Sequence, residues 1–337
     1  MSVNKPLLER ILEKEKKEFP TFFSELELKN NPMRDEWMKE ECYCPITVAL
    51  QHVLSRQKGK DWRRATNQDY MQASLLAAMM GWKQGKEIYE FDPDLSIELL
   101  RQSSDNLEIT SDVVKLPSWS VYMELPGADI TGVIVFFNWT PVAKTLCMLP
   151  IFDDGKNYCV HSPVFMPIPK MPKTIDELMA EISANWLFAL RQSGRMPNTD
   201  IERAFAERKH LIKFVINALA YLTAVNGDVV LKKGLPKGAK KSQTFTPVKE
   251  YKVGESMGMR LKEFHKASIT YLKSEEHEHH RTPVMHIRRA HWHTYLKGKG
   301  RKEKELKWHL PIVVNGNGKE IDVVSLVKVK NEEENKE

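Results

Sequence analysis

The chain has 337 residues, of which 42 % are hydrophobic and 28 % charged, as is typical of a soluble globular protein with one large or two smaller domains. No apolar run reaches the roughly 18 residues of a membrane span, and no apolar signal-peptide segment opens the sequence, so we expect a cytoplasmic protein without membrane contact. The net charge of +6 permits nucleic-acid binding without requiring it. The four cysteines form no C-x-x-C pair, which argues against a cysteine zinc site.

The first region, residues 1–110, is predicted to be mainly helical. Apolar residues at helical spacing predict a helix over residues 4–18. Thr66 opens a second helix through a capping box. Because helices commonly end at a glycine, we predict that this helix ends at Gly81. A shorter helix is predicted over residues 95–102.

The second region, residues 111–172, is predicted to form an antiparallel sheet. Short segments rich in β-branched and aromatic residues are separated by Pro-Gly, Asn-Trp-Thr-Pro and Asp-Asp-Gly breaks. These segments predict three consecutive strands over residues 120–125, 130–140 and 145–152. The proline-rich stretch Pro163–Pro172 is interpreted as a linker-like loop.

A helical pair is predicted over residues 173–230. A capping box at Thr174 opens the first helix, which should end at Gly194. A second capping box at Thr199 opens a helix with a clear apolar stripe, predicted to end near Gly227.

The remaining sequence alternates between charged segments and short elements. A basic loop is predicted over residues 231–250, a helix plus a β-hairpin region over residues 251–330, and an acidic tail over residues 331–337. Within the C-terminal region we expect strands over residues 285–295, 305–314 and 321–330, the first two joined by a basic turn. The predicted fold is therefore α+β, with helices and sheet in separate segments.

The strongest candidate site is the run from His286 to Tyr295 and the turn that follows it. Residues 286–307 contain eight Lys or Arg against two Glu, so this segment alone carries a charge of +6. Because side chains alternate along a strand, Arg289, His291, His293 and Tyr295 are predicted to share one face. Unpaired charge is costly to bury, so this is predicted to be a solvated basic ribbon or a binding site.

Three functions compete for this segment. Binding of phosphate or carboxylate by the basic residues, with the aromatic residues as anchors, is favoured. RNA cleavage with His291 and His293 as candidate catalytic residues, and metal binding by the same two histidines, are alternatives. The predicted binding residues are His286, Arg288, Arg289, His291, Trp292, His293, Tyr295, Gly298, Gly300, Arg301 and Trp308. No standard catalytic motif occurs, so an enzyme is not favoured, and no metal or cofactor is predicted.

Three other segments offer weaker signals. Glu275–His280 contains potential metal ligands but is interpreted as a solvated loop. Arg56–Arg64 is a second basic patch with Trp62 at its centre, for which a nucleic-acid contact is the alternative to a solvated helix–loop junction. Trp119 is expected to pack in the core.

The C-terminal motif resembles a known family. Arg281-Thr-Pro-Val-Met-His-Ile-Arg-Arg-Ala-His-Trp-His-Thr-Tyr295, Gly298-Lys-Gly300 and the following strand with Lys307-Trp308, Pro311 and Val313-Val-Asn315 are similar to a type V-A anti-CRISPR family that acts on production of the CRISPR effector nuclease. Leu116-Pro-Ser-Trp119, Val121-Tyr122, Ile88-Tyr89 before Asp92 and Tyr251-x-Val-Gly-Glu255 match in the same order. Leu296 departs from the family pattern, which has an aromatic residue there.

The resemblance extends from about residue 85 and leaves the first 80 residues unaligned. It implies a mobile-element regulator that binds the nascent N-terminal polypeptide of the type V-A effector and lowers its messenger RNA and expression. The ribosome or the messenger RNA would be further partners. A metal-independent RNase and a nucleic-acid-binding repressor are the alternatives that the residues themselves leave open.

Overall fold

The computed structural model describes residues 5–26, 34–39, 41–57, 61–101, 107–111, 113–125, 130–192, 199–233, 246–274, 286–314 and 320–321. The helices are α1 (Leu7–Glu18), α2 (Pro20–Glu25), α3 (Arg34–Met38), α4 (Ile46–Ser55), α5 (Asn67–Gly85), α6 (Pro93–Arg101), α7 (Ile175–Gln192), α8 (Thr199–Thr223) and α9 (Glu255–Ser274), with a short 3-10 turn over Trp62–Arg64. The strands are β1 (Glu87–Phe91), β2 (Ser120–Glu124), β3 (Gly132–Trp139), β4 (Lys144–Asp153), β5 (Tyr158–Val160), β6 (Val164–Pro167), β7 (Val229–Lys233), β8 (Lys249–Val253), β9 (His286–Arg288), β10 (His291–Lys297), β11 (Glu303–His309), β12 (Ile312–Val314) and β13 (Glu320–Ile321). The predicted α+β class is confirmed.

The chain divides into two compact units, each drawn from three separate spans. The first unit uses Met1–Phe91, Thr110–Met171 and Val230–Lys252, and the second uses Asp92–Ile109, Pro172–Val229 and Val253–Glu337. No helix within the described ranges is both long enough and apolar enough to cross a membrane.

The first unit is built on an eight-stranded sheet with the order β5-β4-β3-β2-β1-β8-β7, in which β6 also pairs with β4. The three predicted strands are confirmed as the antiparallel run β2-β3-β4. The predicted linker-like loop Pro163–Pro172 is wrong at its start, because β6 pairs with Thr145–Met148 of β4. Proline lacks the N–H that a central strand needs, but it is tolerated at an edge such as this one.

The region predicted as mainly helical also contains a strand. β1 pairs in parallel with β2, whereas the sequence predicted only antiparallel pairing. Ile88, Tyr89 and Phe91 are buried. This strand has only five residues and lies between two helices. A segment so short has too few alternating positions for its sequence pattern to distinguish a strand from a loop.

Helix α5 packs against the sheet with a fully buried central section. Its predicted capping box is confirmed, since the Thr66 hydroxyl accepts from the Asp69 N–H at 3.3 Å and the Asp69 carboxylate accepts from the Thr66 N–H at 2.6 Å. The predicted end at Gly81 is wrong, because the helix continues to Gly85. A Cβ at Gly81 would lie 3.1 Å from the Ser120 Cβ, so this glycine lets the helix approach β2 closely.

The second unit contains α6, α7, α8, α9 and the C-terminal strands. The capping box at Thr174 is confirmed: its hydroxyl accepts from the Glu177 N–H at 3.2 Å, and its own N–H donates to the Glu177 carboxylate at 2.8 Å. The apolar stripe of α8 is buried, with Val215 and Leu219 fully inaccessible. This helix therefore supplies the core against which the C-terminal strands pack.

The predicted single strand over residues 285–295 is wrong. The chain forms β9, breaks at Arg289 and Ala290, and continues as β10. β9 pairs with β12, whereas β10 pairs with β11. The strands that pair with β10 and β9 are interrupted at the matching position, since β11 ends at His309 and β12 begins at Ile312. Pro311 lies in this interruption, because proline has no N–H to extend the ladder. Beyond β13, the rest of the third predicted strand, 322–330, lies outside the described residues.

Candidate functional site

The motif residues lie on an antiparallel hairpin formed by β10, β11 and the loop Gly298–Lys302. The register places His291 opposite His309, Trp292 opposite Trp308, and Tyr295 opposite Glu305. This confirms the predicted basic hairpin. The loop turns sharply, with φ of +77° at both Gly298 and Gly300 and +54° at Arg301. Left-handed conformations of this kind favour glycine, which explains the Gly-Lys-Gly sequence.

The inner face of the hairpin, Trp292 and Trp308, is buried. The Trp292 indole N–H donates to the Asn217 side-chain oxygen at 2.9 Å. The Trp308 ring meets the Tyr221 ring edge-on, with centroids 5.8 Å apart. Both partners lie on α8, so the two tryptophans attach the hairpin to the helical core and do not present a contact surface.

A second polar contact fixes the same strand. The Asn226 side chain donates to the Trp308 carbonyl at 2.6 Å and accepts from the Trp308 N–H at 3.1 Å. The Val225 N–H donates to the Leu306 carbonyl at 3.3 Å. The segment after α8 thus binds β11 through its backbone, and the position of the hairpin is determined by directed hydrogen bonds as well as by packing.

The outer face of the hairpin comprises His291, His293, Tyr295, Glu305, Lys307 and His309. Three imidazoles and one phenol cluster there. The rings of His291 and His309 stack at 5.2 Å, and the Tyr295 hydroxyl lies 3.1 Å from the His309 Nε2. His293 meets the Tyr295 ring edge-on at 4.5 Å. His293 and Tyr295 are exposed, so this aromatic cluster is available to a ligand.

The charge of the outer face is partly compensated within the hairpin. Glu305 forms ion pairs with Lys297 at 2.5 Å and Lys307 at 3.3 Å. The hydrogen bond from Lys297, followed by that from Lys307, lowers the pKa of the Glu305 carboxyl below its ordinary value. The Lys307 ammonium also lies 5.4 Å from the centre of the Tyr295 ring. Lys297 and Lys307, two of the eight basic residues of segment 286–307, therefore form ion pairs within the hairpin.

The pKa of His309 is lowered from its ordinary value of 6.5, first by partial burial and then by repulsion from His291, His293, Arg288 and Lys307. Because a lowered pKa favours the neutral ring, His309 should remain uncharged at a pH where an ordinary histidine begins to protonate. We expect an NMR titration to give a His309 midpoint below 6.5, and His291→Ala to raise that midpoint.

The matched control for this titration is His161→Ala, which removes a histidine from the first unit. It should leave the His309 midpoint unchanged. An unchanged midpoint in His291→Ala would show that the stacked pair does not interact electrostatically.

The other predicted binding residues lie before β10 or in the loop of the hairpin. Arg288 and Arg289 are exposed and precede β10, and Arg301 is exposed in the loop. His286 opens β9, where it pairs with Val314. Arg289 was predicted to share a strand face with His291, but it lies in the break between the two strands. The structure thus brings His291, His293 and Tyr295 together, while Arg288 and Arg289 precede β10 and Arg301 lies in the loop at the other end of the hairpin.

Sequence reasoning missed His309. It completes the imidazole cluster from the opposite strand, and its position follows from the hairpin register. Counting outward from the Gly-Lys-Gly turn gives the pairing of His291 with His309, so a signal was present. Alternation along a single strand does not reveal such a cluster, because its members come from two strands.

Of the weaker candidates, the structure describes Trp119 but not Glu275–His280. Trp119 is partly buried and meets Tyr43 edge-on at 5.7 Å, in keeping with the predicted core packing. Glu275–His280 lies outside the described residues. Among the residues that the structure does describe, no three His, Cys, Asp or Glu side chains form a metal-ligand set.

The fold and the hairpin define an α+β protein with a basic, histidine-rich C-terminal surface. The model of the AcrVA2-like family, described as the anti-CRISPR type V subtype A2 family, matches residues 89–316, about two thirds of the chain. The chain therefore belongs to this anti-CRISPR family. The resemblance noted in the sequence is confirmed.

Structural comparison supports the same fold. The chain is similar to a solved structure described as "Crystal structure of AcrVA2", with a TM-score of 0.58 and 17 % sequence identity. The similarity covers 91 % of this chain and 98 % of that one. A comparison with curated protein sequences gave no match.

Proposed function

We propose that this anti-CRISPR protein binds the nascent N-terminal polypeptide of a type V-A effector nuclease and thereby lowers its messenger RNA and expression. The observation that supports the proposal is the family match over residues 89–316, which includes the entire hairpin. The proposed action takes place where the effector is translated, so we propose that the protein acts in the cytoplasm.

The outer face of the hairpin is the proposed peptide contact. His293 and Tyr295 offer exposed rings for apolar side chains, together with polar atoms for backbone groups. Arg289 and Arg301 supply exposed guanidinium groups that pair with carboxylates in a bidentate manner. Because Trp292 and Trp308 attach the hairpin to α8, the backbone that carries these groups is ordered before the peptide arrives, which reduces the entropic cost of binding.

The test measures messenger RNA of an effector reporter co-expressed with the protein. One reporter is recoded synonymously at its 5′ end, so the peptide is unchanged. The other is frameshifted there and then restored, so nearly all nucleotides are unchanged. We expect depletion of the recoded messenger and no depletion of the frameshifted one.

Depletion that follows the nucleotides instead would contradict the proposal. It would favour the alternative functions, an RNA-binding protein or a metal-independent RNase that uses the outer-face histidines. His291→Ala with His293→Ala then separates these two alternatives, because purified RNase would lose cleavage whereas a binding protein has none to lose.

Loss of the contact residues is expected to abolish the effect. Arg289→Ala combined with Tyr295→Ala should restore reporter messenger to the level seen without the protein, because both changes remove exposed groups of the proposed surface. Tyr70→Ala is the matched control, since Tyr70 is similarly exposed but lies in the first unit. Equal depletion by the double variant and the control would argue against the outer face as the contact.

A further inference from the structure

Trp62 is the most exposed aromatic residue among those that the structure describes. It lies in the 3-10 turn between α4 and α5, with 68 % of its surface accessible. Tryptophan in a folded protein is ordinarily largely buried, since its ring carries a large apolar surface. Nothing in the proposed function of the hairpin uses this residue, which belongs to the first unit.

The turn that carries Trp62 also exposes two guanidinium groups. The Arg63 guanidinium carbon lies 5.5 Å from the centre of the Trp62 ring, a cation–π distance. Arg63 and Arg64 are both exposed. Asp61 is the nearby acid, and its carboxylate is engaged with the Arg63 backbone N–H at 2.9 Å.

The conformation of the turn is fixed by local hydrogen bonds. Asp61 is the N-cap and accepts from the Arg63 N–H, and the Arg64 and Ala65 N–H groups donate to the Asp61 and Trp62 carbonyls at 3.0 and 3.3 Å. Thr66 follows directly as the N-cap of α5. The ring and both guanidinium groups are therefore presented from an ordered backbone, which lowers the entropy lost on binding.

We propose that Trp62, Arg63 and Arg64 form a contact for single-stranded RNA. An exposed ring with a cation beside it offers a surface on which a nucleobase stacks, and the guanidinium groups hold the flanking phosphates. Base stacking accepts any base, so the contact is expected to show little sequence preference. RNA is favoured over a protein partner because the two cations match the regular negative charge of a phosphate backbone.

The test uses the full-length protein and a fluorescently labelled oligouridine of about 15 nucleotides, within the site sizes of single-strand binding folds, with binding followed by anisotropy at several salt concentrations. Stacking on an aromatic ring contributes about 1–3 kcal/mol per base, so Trp62→Ala should weaken binding at least about 5-fold. Arg63→Ala with Arg64→Ala should reduce the slope of log affinity against log salt by about 1.4, since each single-strand phosphate contact contributes about 0.7.

Two control variants test whether the loss of RNA binding is specific to this site, since each removes an exposed apolar or basic side chain elsewhere. Val142→Ala removes an apolar side chain that is 85 % exposed in the same unit, and Arg203→Ala removes an exposed guanidinium from α8. Both should bind oligouridine as the unaltered protein does. His293→Ala with Tyr295→Ala tests whether the hairpin is the RNA contact instead.

The proposal is overturned if the unaltered protein does not bind oligouridine, or if Trp62→Ala binds it equally well. It is also overturned if only the hairpin variant loses binding. Trp62→Phe, which retains an aromatic ring, should recover part of the affinity lost in Trp62→Ala. Because Trp62 is exposed, these changes should leave the fold intact, as circular dichroism will verify.

Discussion

Replacing Trp308 by alanine is expected to lower the free energy of unfolding by about 3–5 kcal/mol. The side chain is only 1 % exposed and packs edge-on against Tyr221. Truncation removes a large apolar surface from the core and leaves a cavity that neighbouring residues fill only in part. Chemical denaturation followed by circular dichroism measures the change.

The matched control is the same substitution at an exposed position. Trp62→Ala removes an identical side chain from the surface and should change the free energy of unfolding by less than about 0.5 kcal/mol. Similar losses for the two variants would mean that Trp308 does not pack in the core. The comparison thus tests the inner face of the hairpin directly.

Asn217→Ala is expected to lower the free energy of unfolding by about 2–4 kcal/mol, since removing a hydrogen-bonding side chain strands its buried partners. Asn217 is fully buried, and its amide N–H₂ donates to the Leu99 and Lys213 carbonyls at 3.1 and 3.0 Å. Its oxygen accepts from the Trp292 indole N–H at 2.9 Å. The substitution therefore leaves the Trp292 N–H and the Leu99 carbonyl without their partner.

A double-mutant cycle isolates the contact with the hairpin. In a Trp292→Phe background the indole N–H is absent, so Asn217→Ala should cost measurably less than it does in the unaltered protein. Asn157→Ala, in an exposed turn, is the control and should be close to neutral. Additive losses in the cycle would show that the hydrogen bond between Asn217 and Trp292 does not contribute.

Local sequence signals predicted the elements that depend on local physics. The capping boxes at Thr66 and Thr174 set helix starts through hydrogen bonds between residues three apart, so sequence alone identifies them. Gly81 misled the prediction because its role is long-range. It permits close contact with Ser120, a residue far along the chain that no local pattern reveals.

In the candidate site, too, local patterns predicted some features, while features that depend on long-range pairing were missed. Alternation along one strand correctly placed His291, His293 and Tyr295 on one face of the hairpin. The continuous strand through Arg289 was wrong, because the break depends on pairing with two different partner strands. His309 was missed for the related reason that a cluster across a hairpin depends on register, which a single strand does not contain.

Because inner and outer positions alternate along β10, substitutions at neighbouring residues of this strand differ in their effect on the fold. A substitution at an inner position such as Trp292 disturbs the buried core, whereas His293 and Tyr295 are exposed and contact other side chains of the outer face. Under the proposed function, the peptide contact on the outer face can therefore change one residue at a time while the buried core is kept.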